Sequence, residues 1–230
     1  MSICDNIGAV RERMAAAAIA AGRDPGEILL VGASKMNDAA ACQAAIAAGI
    51  DALGENRVQE MTEKLAEGAY TGAPLHFIGH LQRNKVRQVV GKVDLIQSVG
   101  SEELLAEVEK AAAKLEIVQD ILLEVNIGME EAKSGFAPAA LYDGARAALN
   151  CPHVRVLGLM TIPPAEASRE ENCGYFAEVH ALYVDINAKL FHNNFKYLSM
   201  GMSGDYEDAI ANGATMVRVG SAIFGARHYT

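Results

Sequence analysis

The stretch ILLVGASKMND, residues 28–38, is an apolar run that ends on a lysine. Ile28 to Ala33 read as a buried strand: a short apolar run of branched side chains, bounded by polar residues. Lys35 stands where that strand stops. Residues 29, 31, 33 and 35 share one face of a strand. The Lys35 amine is therefore expected to point the same way as Leu29, Val31 and Ala33. Lysine is among the residues least often buried, so a cation at the mouth of the first core strand calls for an explanation.

Outward from this strand the same unit repeats. Strands are expected near 28–34, 51–54, 75–79, 93–97, 118–126, 154–162, 195–199 and 215–219. Amphipathic helices are expected near 38–48, 57–67, 83–90, 101–114, 138–149, 168–190, 205–212 and 221–226. One more helix, over residues 2–21, leads the chain, with Ile3, Ile7, Val10, Met14, Ala17 and Ala21 at helical spacing. Ser2 is its N-cap; Gly22 and Pro25 stop it. Strands alternating with helices imply a parallel α/β sheet. Eight of them imply a single (β/α)8 TIM barrel with an extra N-terminal helix in residues 1–24, one domain over residues 1–230. An open doubly wound sheet is the alternative, and it usually has fewer strands. No linker or repeat interrupts the pattern.

Composition narrows the function. The 230 residues are 51% hydrophobic and lack tryptophan, so Ala, Val, Ile and Leu fill the core. A net charge of −9 argues against nucleic acid or an anionic membrane as partner. The one basic cluster, Arg83, Lys85 and Arg87, reads as a solvated helix face. Cys4, Cys42, Cys151 and Cys173 form no CxxC pair, which suits a reducing, cytoplasmic setting. The N-terminus does not read as a signal peptide, and no apolar stretch reaches membrane-span length. His76 and His80 share a strand parity without a carboxylate at metal-ligand spacing, so no metal is expected. No GxSxG elbow follows a strand.

In such barrels the chemistry gathers at the C-terminal ends of the strands, and phosphate favours the loops after strands seven and eight. In SMGMSGD, Gly201 and Gly204 allow close backbone approach, Ser203 adds a hydroxyl, and a helix follows. GSAIFG repeats the device with Gly220 and Ser221. Both turns also read as ordinary strand-to-helix connections with serine caps. Arg218, inside the apolar ATMVRVG, needs a carboxylate, carbonyls or a ligand; Glu55 and Glu124 are the acids within the core pattern. Asn56 follows strand two, where it is also placed to cap the next helix in a box with Gln59. Barrel closure would bring strand eight beside strand one, so that all these pieces meet at one rim. A desolvated lysine there is a nucleophilic amine able to condense with an aldehyde.

The motifs ASK, LGENRVQE, HFIGHLQRNK, LLEVNIG with KSGF, GLMTI, LSMGMSGDYEDAI and VRVGSAIFGAR occur in this order. Together they closely resemble the pyridoxal phosphate homeostasis protein family, over about residues 28–227. The resemblance implies a barrel like the N-terminal domain of alanine racemase, the fold-type III arrangement. It implies pyridoxal 5′-phosphate (PLP) held as an internal aldimine on Lys35. It places Arg218 against the pyridine nitrogen and Asn56 near the ring. It gives the phosphate to Ser203, Gly204, Gly220 and Ser221, and adds Met160 and Ser199 to the cofactor contacts. Lys133 matches a second lysine linked to cofactor exchange. Many members read SKTKP where this chain reads SKMND, so Asn37 stands in place of a further lysine.

An arginine cannot protonate the pyridine nitrogen, and an unprotonated ring is a weak electron sink. The implied protein is a soluble, monomeric PLP carrier that buffers the cofactor, serves PLP-dependent apo-enzymes and has no catalytic residues. The alternatives are a weak PLP enzyme such as an amino-acid racemase, and a Schiff-base aldolase acting on a sugar phosphate without cofactor.

Overall fold

A computed structural model describes residues 2–225. Eight parallel strands close into a barrel in sequence order, β1 to β8, with β8 paired back onto β1. They are β1 (Leu29–Ala33), β2 (Ala52–Glu55), β3 (Leu75–Phe77), β4 (Leu95–Val99), β5 (Gln119–Val125), β6 (Val154–Thr161), β7 (Tyr197–Ser199) and β8 (Met216–Val219). The helices are α1 (Ile3–Ala20), α2 (Ala39–Ala47), α3 (Val58–Ala66), α4 (Glu102–Leu115), α5 (Leu141–Leu149), α6 (Arg169–Leu190), α7 (Tyr206–Ala211) and α8 (Ser221–Phe224). The barrel is the expected architecture; the open sheet is excluded by the β1–β8 pairing. None of the helices described is long and apolar enough to cross a membrane.

Two hydrophobic layers follow from strand alternation. Leu30, Leu53, Ile96, Ile121, Leu159 and Val217 face outward and join the helices in the larger core. Val31, Ala52, Leu95, Leu122, Leu157, Met160 and Met216 fill the barrel's inside. The inner set departs from strict alternation at one point. Between β5 and β6 the register slips, with Ile121 opposite Val156 but Leu123 opposite Leu159. The extra β6 residue is a bulge, and it lets both Leu157 and Met160 face inward. Gly158 sits in it at φ +148°, where a Cβ would lie 1.8 Å from the Tyr197 carbonyl oxygen. Only glycine fits there.

α1 begins with a capping box between Ser2 and Asp5 and buries Ile7, Val10, Met14 and Ala18 against α2, α7 and α8. Asn6 Nδ2 donates to the Ile223 carbonyl, tying the leading helix to α8 across the β8–β1 seam (2.8 Å).

The helix expected over 83–90 is a 3-10 helix over Arg83–Gln88 instead. Its backbone closes i→i+3 bonds, Lys85 N–H to the Gln82 carbonyl and Val89 N–H to the Val86 carbonyl, the tighter winding of short connectors. The last helix, expected over 221–226, spans Ser221–Phe224, and residue 226 lies outside the described residues.

Candidate functional site

Strand closure builds the rim. Val31 pairs with Arg218 and Gly32 with Val219, so Ala33 and Gly220 stand level at the top of adjacent strands. A Cβ on Gly220 would lie 3.4 Å from the Ala33 carbonyl oxygen. β1 ends at Ala33, and Lys35 lies two residues on, in a turn, half-buried. That is one residue short of the strand end read from the sequence.

The Lys35 turn is pinned on both flanks. Lys64 Nζ donates to the Ser34 carbonyl (2.8 Å), Glu55 Oε1 (2.8 Å) and Glu60 Oε1 (2.7 Å). Ser34 Oγ and Tyr70 OH also donate to Glu55 Oε1, at 2.6 and 3.0 Å. The backbone N–H of Met36 donates to Glu60, and Asn37 Nδ2 donates to the carbonyl of Lys35 itself (3.1 Å). Glu55 is fully buried and Lys64 nearly so. Burial alone would lower the Lys64 pKa, but its hydrogen bonds to Glu55 and Glu60 win and hold it above the usual lysine value. This cluster was not foreseen. Its one sequence signal was the Glu60–Lys64 spacing of four on α3. Glu55 is thus spent on Lys64 and is not the partner of Arg218.

Arg218 is buried on β8 and bonds elsewhere. Nη2 donates to the Thr161 carbonyl (2.9 Å) and Nη1 to Ser199 Oγ (2.5 Å). Ser199 Oγ in turn donates to Gln97 Oε1 (2.6 Å). Gln97 Nε2 lies 3.0 Å from His76 Nδ1. The four side chains make a relay from β8 through β7 and β4 to β3, all inside the barrel. Burial lowers the Arg218 pKa to about 10, against the pull of Asp205 and Glu124, so it remains a cation at neutral pH. Burial lowers His76 to about 4; its neutral ring accepts from Gln97 and carries its proton on Nε2.

At the phosphate turns, Ser203 Oγ accepts from the N–H of Gly220 (3.1 Å) and of Ala222 (3.4 Å). The two loops are therefore joined. The serine-cap reading needs correcting: α7 and α8 have no side-chain N-cap bond of their own, and Ser203 caps α8 from another loop. Gly204 is exposed, with nothing near its missing Cβ, and Ser221 is exposed too. Met160 lies deeper, fully buried in the inner layer, two residues below Ile162 at the rim.

Asn56 does not cap α3. The N-cap is Arg57, without a side-chain bond, and Gln59 turns to Glu63 (3.0 Å). The cause is the packing of β3 onto β2. Gly79 comes so close that a Cβ would sit 2.2 Å from the Asn56 carbonyl oxygen. Asn56 Oδ1 is buried without a partner and lines a cavity of about 340 Å³ with Glu124, Lys133 and Ile162. Lys133 Nζ pairs with Glu130 (2.5 Å) and donates to the Pro163 carbonyl (3.0 Å). Glu124 Oε2 is likewise unpartnered. Burial raises Glu124 to about 7, with Arg218 pulling the other way.

Glu124 and His76 give opposite pH slopes. Folded Glu124 keeps a proton that the unfolded chain loses, so stability falls as pH rises from about 4.5 to about 7. Folded His76 refuses a proton that the unfolded chain takes, so stability rises from about pH 4 to 6.5. The two contributions oppose each other between these limits. Urea melts of Glu124→Gln should gain up to roughly 3 kcal/mol over wild type at pH 7.5 and nothing at pH 4. A gain equal at both pH values would refute the assignment.

Residues 6–228 match the family described as alanine racemase, N-terminal domain. The chain belongs to that family. A pyridoxal phosphate homeostasis protein of Aquifex aeolicus is 41% identical over 229 residues, with 100% of each chain covered. PipY of Synechococcus elongatus PCC7942, solved with PLP bound, superposes at a TM-score of 0.84 with 31% identity, covering 97% of this chain and 100% of its own. The same protein without PLP gives 0.87 at 32% identity, with the same coverage. In this chain the rim of β1, β7 and β8 carries the Lys35 turn, the buried Arg218 and the joined Ser203 and Gly220 turns.

Proposed function

We propose that this chain is a PLP-binding protein of intracellular PLP homeostasis, holding the cofactor covalently but reversibly through Lys35 and turning over no substrate. The observation that carries this is the junction of the two turns: backbone N–H groups of Gly220 and Ala222 and the Ser203 hydroxyl converge on the strand neighbouring that of Lys35. The residues fit the group. The Gly220 and Ala222 N–H groups, which Ser203 Oγ takes in this structure, would turn to a phosphate beside a half-buried lysine, and the orphaned Asn56 Oδ1 stands at the end of the strand on its other side. Ser203, Gly204, Gly220 and Ser221 would take the phosphate. Asn56, Met160, Ser199 and Arg218 would line the ring, Ser199 chiefly by orienting Arg218. PLP supplies an aldehyde that an amine captures reversibly.

The chain's own groups do the rest. The Lys64–Glu55–Glu60 cluster fixes where the Lys35 backbone sits. The relay holds the Arg218 guanidinium in place with N–H groups to spare, since only two bonds are satisfied by Ser199 and Thr161. Arginine keeps its proton, so a ring nitrogen facing it stays unprotonated and carbanion chemistry is poorly supported. That favours a carrier over a racemase. Supplying PLP to apo-enzymes, as a cytoplasmic monomer, belongs to the same proposal.

An absorbance spectrum before and after borohydride reduction, with peptide mapping, tests the attachment. The expected label is on Lys35. Assay of amino-acid turnover with stoichiometric PLP tests the absence of catalysis; racemisation above the rate of free PLP would refute it. Ser203→Ala combined with Ser221→Ala is expected to weaken PLP retention, each hydrogen bond to a charged group being worth ~1.5–3 kcal/mol. Retention by dialysis equal to wild type would place the phosphate elsewhere.

A further inference from the structure

A second cavity, of about 570 Å³, lies next to the one lined by Asn56. The wall between them is His80 and Ser134, whose Nδ1 and Oγ are 2.5 Å apart; both residues line both spaces. Neither Lys35, Arg218 nor Ser203 borders the second cavity.

Two of its features are unexplained by the fold. Ser98, on β4, is 2% exposed and its Oγ has no hydrogen-bond partner, yet the residue lines the cavity. Buried hydroxyls are nearly always matched. Opposite charges also face this one space: Arg83 from the 3-10 helix and Glu103 from the first turn of α4. The Glu103 carboxylate is held below its usual range by its own backbone N–H and the Ser101 hydroxyl, and Arg83 adds to the effect. Among the described residues, no direct ion pair joins Arg83 to Glu103. The two charges are near each other but not consumed by each other.

A ligand that answers all three groups carries both signs. We propose that this cavity binds a free α-amino acid, its carboxylate on Arg83 and the Ser98 hydroxyl and its ammonium on Glu103. A simple anion would face Glu103 unanswered, and a simple amine would face Arg83. The site is separate from the PLP site, so it does not depend on the cofactor reading.

The test uses the full chain in two forms: borohydride-reduced after loading with PLP, so that no amine can react with the cofactor, and cofactor-free. Calorimetric titration at low salt compares L-alanine, L-glutamine and L-phenylalanine with propionate and ethylamine. At least one amino acid is expected to bind saturably to both forms, tenfold or more tighter than either half-ligand. Arg83→Gln and Glu103→Gln should each weaken it about tenfold, without altering the spectrum of bound PLP. Ser98→Ala should weaken it several-fold; should that core variant fail to fold, the two exposed variants decide. No saturable binding of any of the three amino acids, equal binding of propionate, or indifference to both exposed variants would overturn the proposal.

Discussion

Lys35→Ala protein is expected to purify without the visible absorbance of an aldimine and to develop no aldimine band when the cofactor is added, only the spectrum of the free aldehyde. The substitution removes the amine proposed to bond the aldehyde. It leaves the backbone anchors of the turn, at Ser34, Met36 and Asn37, in place. The circular dichroism spectrum and a cooperative melt should persist. The proposed phosphate turns are untouched, so some non-covalent affinity is expected to survive. Retention measured by ultrafiltration should fall on the order of a hundredfold, ~2.7 kcal/mol. A band surviving at full strength would make another lysine the attachment point. Lys133, which lines the neighbouring cavity with Asn56, would be the first to examine.

Lys64→Ala is expected to have the largest effect on stability. It strips the cation from a buried group of acceptors and leaves fully buried Glu55 facing Glu60. Breaking a buried pair by removing one partner costs about 3–5 kcal/mol, because the remaining charge is left uncompensated. Urea denaturation should show the midpoint falling with little change in slope. The triple change Lys64→Met, Glu55→Gln, Glu60→Gln should recover much of the loss, since no naked charge is then buried. A loss below about 1 kcal/mol in the single variant would mean that water reaches the cluster. Loosening this corner also frees the turn that carries Lys35, so the single variant should release PLP faster even where it remains folded.

The strands and most helices were legible because their signals are local. ILLVGA announces a buried strand, and the apolar spacing of EELLAEVEKAAAKL announces α4, without any knowledge of neighbours. That the Ser203 and Gly220 turns lie beside the end of β1 was legible one step later, because barrel closure follows from strand count. The partners of Arg218 were not. They depend on which way Ser199 and Gln97 face, and Gln97 lies where the β4–β5 register slips between Ile96 and Val99. Such slips reverse inside and outside, and no alternation of residue types records them. Glu55 stayed open as a partner of Arg218 beside Glu124 for the same reason: an acid in a core strand can face either layer, and only the packing of Tyr70 and Lys64 decides. Asn56 read as a cap because Asn and Gln at that spacing usually make one; the approach of Gly79 is a tertiary event with no mark in that segment.

The chain from Arg218 to His76 has a direction. The guanidinium only gives, so the serine oxygen must receive from it and point its own hydrogen onward. The carboxamide of Gln97 must then turn its oxygen to Ser199 and its nitrogen to the imidazole. The hydrogen-bonding rotors of Ser199, Gln97 and His76 are thereby set by one permanent positive charge at the far end. A change deep in the cylinder at Gln97 would unlatch the arginine at the mouth through Ser199, without itself reaching the arginine.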